Sequence, residues 1–447
     1  MKVLLVSANT ATFPHAVYPL GLDHVAAAID AAHEVRIADV AVPGLDLAGE
    51  VRAFAPDVVG ISIRNIDNCD LTGPAGFVDE YRRLARTVRD AGAARIVLGG
   101  AGFSIFPSEL LGLLEADFGI VGEGARLAGL LDALEQGGDP SRLPGVVVRG
   151  GPPRAPEAFA GALARRIPSP GPVLDHYLSR GAILNLRTQQ GCPFRCIYCT
   201  YPHVEGAGRR FLEPREAGRQ ARALQGAGAR FLFITDSVFN ADAGHSLAVA
   251  EAMKAAGVTI PWGGFFSPLR PEPDYYRRLA ARGLSHVEFG TDALSDPVLA
   301  AYRKPFRVED VHAAHRAARE AKVHVAHYLA LGGPGETAAT LAESLDAAER
   351  LDRCAVFFFA GLRLFPHTEL YDRAVAEGQV RRGDDLLTPV FYEPRGLPLA
   401  EMLERVAARA KGRRGWIVGS GGETVVRALT RFYDLGHSGP LWERLIG

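Results

Sequence analysis

Short apolar runs alternate with amphipathic stretches from the first residues onward. VLLV at 3–6 reads as a strand, LGLDHVAAAIDAA at 20–32 as a helix and EVRIADV at 34–40 as a second strand. DVVGISI (57–63) is a near-continuous apolar strand, and residues 76–92 carry their charges on one helical face. RIVLGG (95–100) and FGIVGEG (118–124) read as a fourth and a fifth strand. Val- and Ile-rich strands without polar alternation belong in a parallel sheet covered on both faces. Strands spaced by helices predict a doubly wound, Rossmann-like or flavodoxin-like α/β domain over 1–140. Ligands of such sheets lie outside the carboxyl ends of the strands, here the loops 7–19, 64–75, 99–107 and 121–125.

Gly and Pro then crowd the chain, in GGPPRAP and IPSPGP, and residues 141–180 read as a linker. The alternation resumes at 181. Strands are expected at 183–188, 231–235, 262–266, 286–291, 324–331 and 356–362, with helices at 213–228, 242–256, 273–282, 308–321 and 338–352. Six β/α units predict an open, partial (β/α)6 TIM-like barrel over 181–395, with its chemistry at the strand C-termini. Residues 396–447 read as a short helical region.

The 447 residues exceed one ordinary domain. With 48% hydrophobic and 23% charged residues, the chain can bury a core. Lys+Arg (50) balance Asp+Glu (51), so no global charge draws the protein to nucleic acid or to an anionic membrane. No apolar run approaches the ~20 residues of a membrane helix, and MKVLLVSANTATFPH reads as a buried first strand rather than a signal peptide. These features predict a cytoplasmic protein without a membrane span.

Three of the five cysteines fall within eight residues, as Gly191-Cys192-Pro-Phe-Arg-Cys196-Ile-Tyr-Cys199. The loop follows a predicted strand. Three thiolates there can hold three irons of a [4Fe–4S] cluster and leave the fourth open. Zinc is the rival, with His203 as a fourth ligand. Cys69 and Cys354 stand apart and are expected in the core.

The C-x3-C-x2-C spacing, with an aromatic before the last Cys, resembles the radical S-adenosylmethionine (SAM) superfamily over roughly 183–395. The resemblance implies that the open iron chelates SAM, that the cluster delivers the electron that cleaves it, and that Tyr198 packs on the adenine. It places Asp236, after the next strand, at the methionine amine and Glu288, at the end of HVEFGTD, near the ribose. GGPGET (332–337) and GLRLFPHTELYDRAVAEG (361–378) resemble later pieces of the same barrel, with Thr337 as a helix cap.

The first domain lacks G-x-G-x-x-G after its first strand. Its pieces YPLGLDHVAAAI, PDVVGIS, IVLGGAGFSIFPSELL and DFGIVGEG resemble, in order, the cobalamin-binding domain of B12-dependent radical SAM enzymes. Ala125 stands where that family usually has the last Glu of GEGE. The resemblance makes Gly99, Gly100, Ser104, Gly122, Glu123 and Gly124 the cobalamin-binding residues, the glycines because backbone can approach the ligand there. The D-x-H-x-x-G signature of a lower cobalt ligand is absent. Its nearest match, Asp310-Val-His312, lies on a barrel helix. His15 and Arg64 are the candidates for the lower face, and a guanidinium cannot readily donate to cobalt.

The resemblance as a whole implies a cobalamin-dependent radical SAM methyltransferase acting on a carbon of a small molecule or specialised metabolite. Its cofactors would be a [4Fe–4S] cluster, SAM and cobalamin, and its electron would come from a flavodoxin or ferredoxin. Arg64 and Tyr302 are the candidate catalytic residues, with Lys304, Trp262, Arg363 and Tyr392 lining the cavity and residues 370–395 closing it. Two rivals stay open: a non-methylating member of the same class, and an Fe–S electron-transfer or redox-sensing protein. A methylthiotransferase would need a second cysteine set.

Overall fold

The computed structural model describes residues 1–446 except 12–15, 93, 94, 153, 158 and 207. His15 therefore lies outside the described residues. The first sheet contains β1 (Lys2–Ser7), β2 (Glu34–Asp39), β3 (Val58–Ser62), β4 (Ile96–Gly99), β5 (Phe118–Ile120) and β6 (Val146–Val148). Its order is β2-β1-β3-β4-β5-β6, parallel up to β5, with β6 antiparallel on the edge. The first five strands thus follow flavodoxin-like order, with the switch point between β1 and β3. Residues 146–148, expected in the linker, instead extend this sheet.

The second sheet is fully parallel. It contains β7 (Ile183–Leu186), β8 (Phe231–Ile234), β9 (Trp262–Phe266), β10 (Leu284–Asp292), β11 (His324–Leu331), β12 (Ala355–Ala360) and β13 (Trp416–Val418), hydrogen-bonded in that order. Six of these are the expected β/α strands. The seventh comes from the region expected to be only helical. Trp416, Ile417 and Val418 pair with Val356, Phe357 and Phe358, and Trp442 further on is wholly buried against this sheet. The 396–447 segment therefore completes the barrel. No helix among the described residues is long and apolar enough to cross a membrane.

The linker is the joint between the sheets. Arg165 is buried there and reaches in two directions. It pairs with Asp23 of the first domain, with Nη2 2.9 Å and Nε 3.1 Å from the carboxylate. Its Nη1 donates to the Asn185 carbonyl on β7. Tyr18 donates a further bond, 2.9 Å, to the same aspartate. Tyr177 donates to Asp39 at 2.8 Å, and Arg363 of the barrel pairs with Asp67 of the first domain at 2.8 Å, both buried. A buried charge left without its partner is strongly destabilising. Arg165→Ala should lower unfolding free energy by about 3–5 kcal/mol, read as a drop in the denaturation midpoint of the full chain. The double variant Asp23→Asn/Arg165→Met should recover part of that loss.

Candidate functional site

The cysteine loop leaves the carboxyl end of β7 and is gripped at its neck. Asp236, just past β8, accepts from the backbone N–H of Thr188 (2.7 Å) and Gln189 (3.1 Å) and from the Thr188 hydroxyl. Residues 189–190 then pair antiparallel with 210–211. Gly191 follows at φ +86°, where a Cβ would lie 2.2 Å from the Gly208 carbonyl oxygen, so only glycine fits. Asp236 was expected to bind the methionine amine. Both of its oxygens are instead taken up by the loop, and burial pushes its carboxyl up to about 6.

Cys192 is buried, and Cys196 and Cys199 are half-buried. Their sulfurs do not all lie within 4.8 Å of one another. A single zinc with bonds of about 2.3 Å would hold its sulfurs about 3.8 Å apart. His203, the ligand such a zinc would need, is stacked on His367 with ring centroids 4.1 Å apart. Three spread thiols with no fourth ligand fit a [4Fe–4S] cluster with one open iron. Burial pushes all three thiols up, Cys199 to about 12, so iron must supply the charge that keeps them as thiolates.

A small polar network backs the loop. Tyr198 donates to Asp292, which also pairs with Lys304. The Lys304 ammonium lies 3.6 Å from Cys196 Sγ and 3.4 Å from the Tyr198 hydroxyl. Burial opposes the ammonium charge, and the neighbouring Asp292 and Cys196 outweigh it, holding Lys304 above its usual range. Asp292 adopts φ +61° at the end of β10, beside a register shift. It lies one residue beyond the expected strand and was missed. The signal was the acidic residue that closes HVEFGTD.

Several expected site residues are turned away. Glu288 is not at a strand end: β10 continues four residues past it. Its carboxylate accepts from Trp442 Nε1 at 2.9 Å inside the barrel, and burial pushes it up to about 7. Tyr302 is fully buried. Its hydroxyl donates to the Ala330 carbonyl (3.0 Å) and accepts from Gly333 N–H (2.8 Å), and its ring supports Tyr198 edge-on at 5.8 Å. Trp262 donates to the Arg282 carbonyl, Tyr392 donates to Glu377, and Arg363 is held by Asp67. These side chains build the walls rather than face the cavity. Thr337 does cap its helix, accepting from Thr340 N–H at 3.2 Å.

At the carboxyl ends of β3, β4 and β5, glycine backbone lines a cavity of about 160 Å³. Gly60, Gly99, Gly100, Gly122, Glu123 and Gly124 face it, and His24, Arg187, Gln190 and Glu205 close it. A Cβ at Gly21 or Gly99 would meet no protein atom nearer than 4.0 Å and would fill this space. Gly100 sits at φ +100°, with a Cβ position 2.5 Å from the Ile63 carbonyl oxygen. Ser104 is buried behind the cavity, accepting from Gly122 N–H and donating to the Gly100 carbonyl, both at 2.9 Å. It ties two glycine turns together and does not line the cavity. Glu123 pairs with Arg210 across the domain boundary. A larger cavity, about 680 Å³, opens between residues 105–113 and the 366–387 segment, with His203 and His367 in its wall.

Arg64 follows β3 with its side chain exposed to the space between the domains. Surrounding protein still lowers its pKa by desolvation. The nearest acids of its loop are engaged elsewhere, Asp67 with Arg363 and Asp70 with Thr72 and Ser420. Cys69, expected in the core, is exposed on the same loop. Cys354 is buried as expected. His312 lies on the helix Val308–Glu320, outside the first domain.

Two family descriptions match the chain: the B12 binding domain over residues 6–131 and the Radical SAM superfamily over 186–348. The chain thus carries a B12 binding domain followed by a radical SAM domain. The enzyme's cofactors are cobalamin, SAM and a [4Fe–4S] cluster. It is 26% identical to tryptophan 2-C-methyltransferase of Streptomyces laurentii, over 82% of this chain and 73% of that one. It is 24% identical to an uncharacterized methyltransferase of Pyrococcus horikoshii, over 84% and 83%. Its fold matches the radical SAM methyltransferase TsrM of Kitasatospora setae, solved with cobalamin and a [4Fe–4S] cluster bound, at TM-score 0.89 and 23% identity, covering 100% of this chain and 97% of that one.

Lys304 is the one cation placed on a cluster sulfur by the contacts above. Lys304→Met should make the cluster's midpoint potential more negative, because a positive charge beside Cys196 favours the reduced state. Potentiometric EPR titration reads that shift, and turnover should fall by about 10–100-fold.

Proposed function

We propose that the enzyme methylates a carbon of a small aromatic metabolite, with tryptophan as the first substrate to test. The observation that carries this reading is Arg64. Its guanidinium faces the interdomain space with no carboxylate partner in its loop, on the same side as the glycine-lined cavity. The tryptophan-methylating relative supports the substrate class.

Bound together, the three cofactors supply methyl carriage, electron delivery and a sulfonium methyl source. The chain's own residues do the rest. Cys192, Cys196 and Cys199 would hold the cluster, and Tyr198 stands beside it, fixed by Asp292 and Tyr302. Gly99, Gly100, Gly122, Glu123 and Gly124 would cradle cobalamin. Arg64 would stand beside the bound corrinoid and, as a guanidinium, would not donate to cobalt. A flavodoxin or ferredoxin would serve as reductant in the cytoplasm, and the near-neutral net charge goes with a small-molecule substrate rather than nucleic acid.

The test is anaerobic reconstitution with iron and sulfide, followed by hydroxocobalamin, SAM and tryptophan, with mass spectrometry of the products. Methylated substrate and S-adenosylhomocysteine are expected. Accompanying 5′-deoxyadenosine would assign the radical route. Neither product with an intact cluster would overturn the reading. EPR of bound cob(II)alamin should change in Arg64→Ala, and an unchanged spectrum would remove Arg64 from the cobalt face.

A further inference from the structure

Three ligand-type side chains converge in the barrel wall, apart from the cysteine loop. His315 projects from the helix Val308–Glu320, His327 from β11, and Cys354 from the turn before β12. All three are buried, and their ligand atoms lie within 4.8 Å of one another. Nδ1 of His315 is 3.0 Å from Nε2 of His327. Zinc bonds of about 2.0–2.1 Å to nitrogen and about 2.3 Å to sulfur require ligand atoms about 3.5 Å apart. With the ligand atoms at most 4.8 Å apart, side-chain shifts of about 1 Å suffice to reach that spacing.

The outward-facing ring nitrogens already have partners. Thr291 Oγ1 lies 2.8 Å from Nδ1 of His327, and Asp352 Oδ1 lies 3.3 Å from Nε2 of His315. Metal-bound histidines use their second nitrogen in this way: a carboxylate or other oxygen fixes the tautomer and aims the opposite lone pair at the metal. When both rings donate outward, two lone pairs confront each other at 3.0 Å. A cation between them relieves that contact. The metal-free alternative has the Thr291 hydroxyl donate to His327, so that His327 can donate to His315. The Cys354 thiol would then have only the Leu351 carbonyl, at 3.4 Å. His312, three residues earlier on the same helix, also has a buried Nε2 with no hydrogen-bond partner. Asp352 is largely exposed, which gives an ion a route in.

We propose that His315, His327 and Cys354 bind a thiophilic divalent cation of the zinc type, which staples a helix to β11 and to the turn before β12. The site is independent of the cluster and of the methyl-transfer reading.

The test uses the full-length protein from zinc-supplemented culture, washed with chelator, by elemental analysis and zinc K-edge X-ray absorption. About one zinc per chain is expected, with one sulfur and the rest nitrogen or oxygen ligands. The triple variant Cys192→Ala/Cys196→Ala/Cys199→Ala should lose iron and keep zinc, which separates this site from zinc captured by the cluster loop. Cys354→Ser should lose the sulfur signal, with zinc occupancy at least about tenfold lower. His327→Gln provides a second variant, and the absorption spectrum of the unmodified protein decides the matter should both fail to fold. Zinc-free protein, zinc that disappears with the triple variant, or zinc without sulfur would each overturn the proposal.

Discussion

One buried carboxylate sets the geometry on which the chemistry rests. Burial works against the Asp236 charge, which hydrogen bonds from residues 188 and 189 and the nearby Arg187 guanidinium favour. Those bonds fix where β7 ends and where the cysteine loop begins. The cysteine loop therefore takes its starting direction from that neck. A side chain expected to touch a cofactor acts instead on the segment that carries the iron ligands.

The facing of the two domains has a different physical basis. Arginine–carboxylate pairs join them: Arg165 with Asp23, Arg363 with Asp67 and Arg210 with Glu123. Guanidinium groups suit such junctions because one group can satisfy several acceptors at fixed angles, as Arg165 does toward Asp23 and the Asn185 carbonyl. Arg64 takes no part in these pairs and is exposed beside the shared space. A ligand bound there would therefore contact both domains, and its affinity would depend on how firmly these pairs hold the domains in register.

Much of this was legible in the sequence, for identifiable reasons. Apolar runs such as VLLV and DVVGISI announce buried parallel strands, and three cysteines in one loop announce a metal centre. Local patterns do not reveal long-range partners. WIV at 416–418 is too short to read as a strand until Val356–Phe358 is beside it. Glu288 looked like a strand-end carboxylate because its partner Trp442 lies far along the chain. Tyr302 and Arg363 have the right chemistry to line a cavity, but contacts distant in sequence turn them inward. Asp292 needed a left-handed residue at a register shift, which no periodicity announces.

The barrel sheet is longest at its centre, with nine residues in β10 and eight in β11. It narrows to four in β7 and three in β13 at its margins. An open barrel cannot eliminate its edges by closure. Short margins expose few unpaired amide and carbonyl groups, which gives a stray strand from another molecule little to zip onto. Tapering is thus a guard against intermolecular β-pairing, and lengthening β13 with added β-branched residues would weaken that guard without touching the reaction centre.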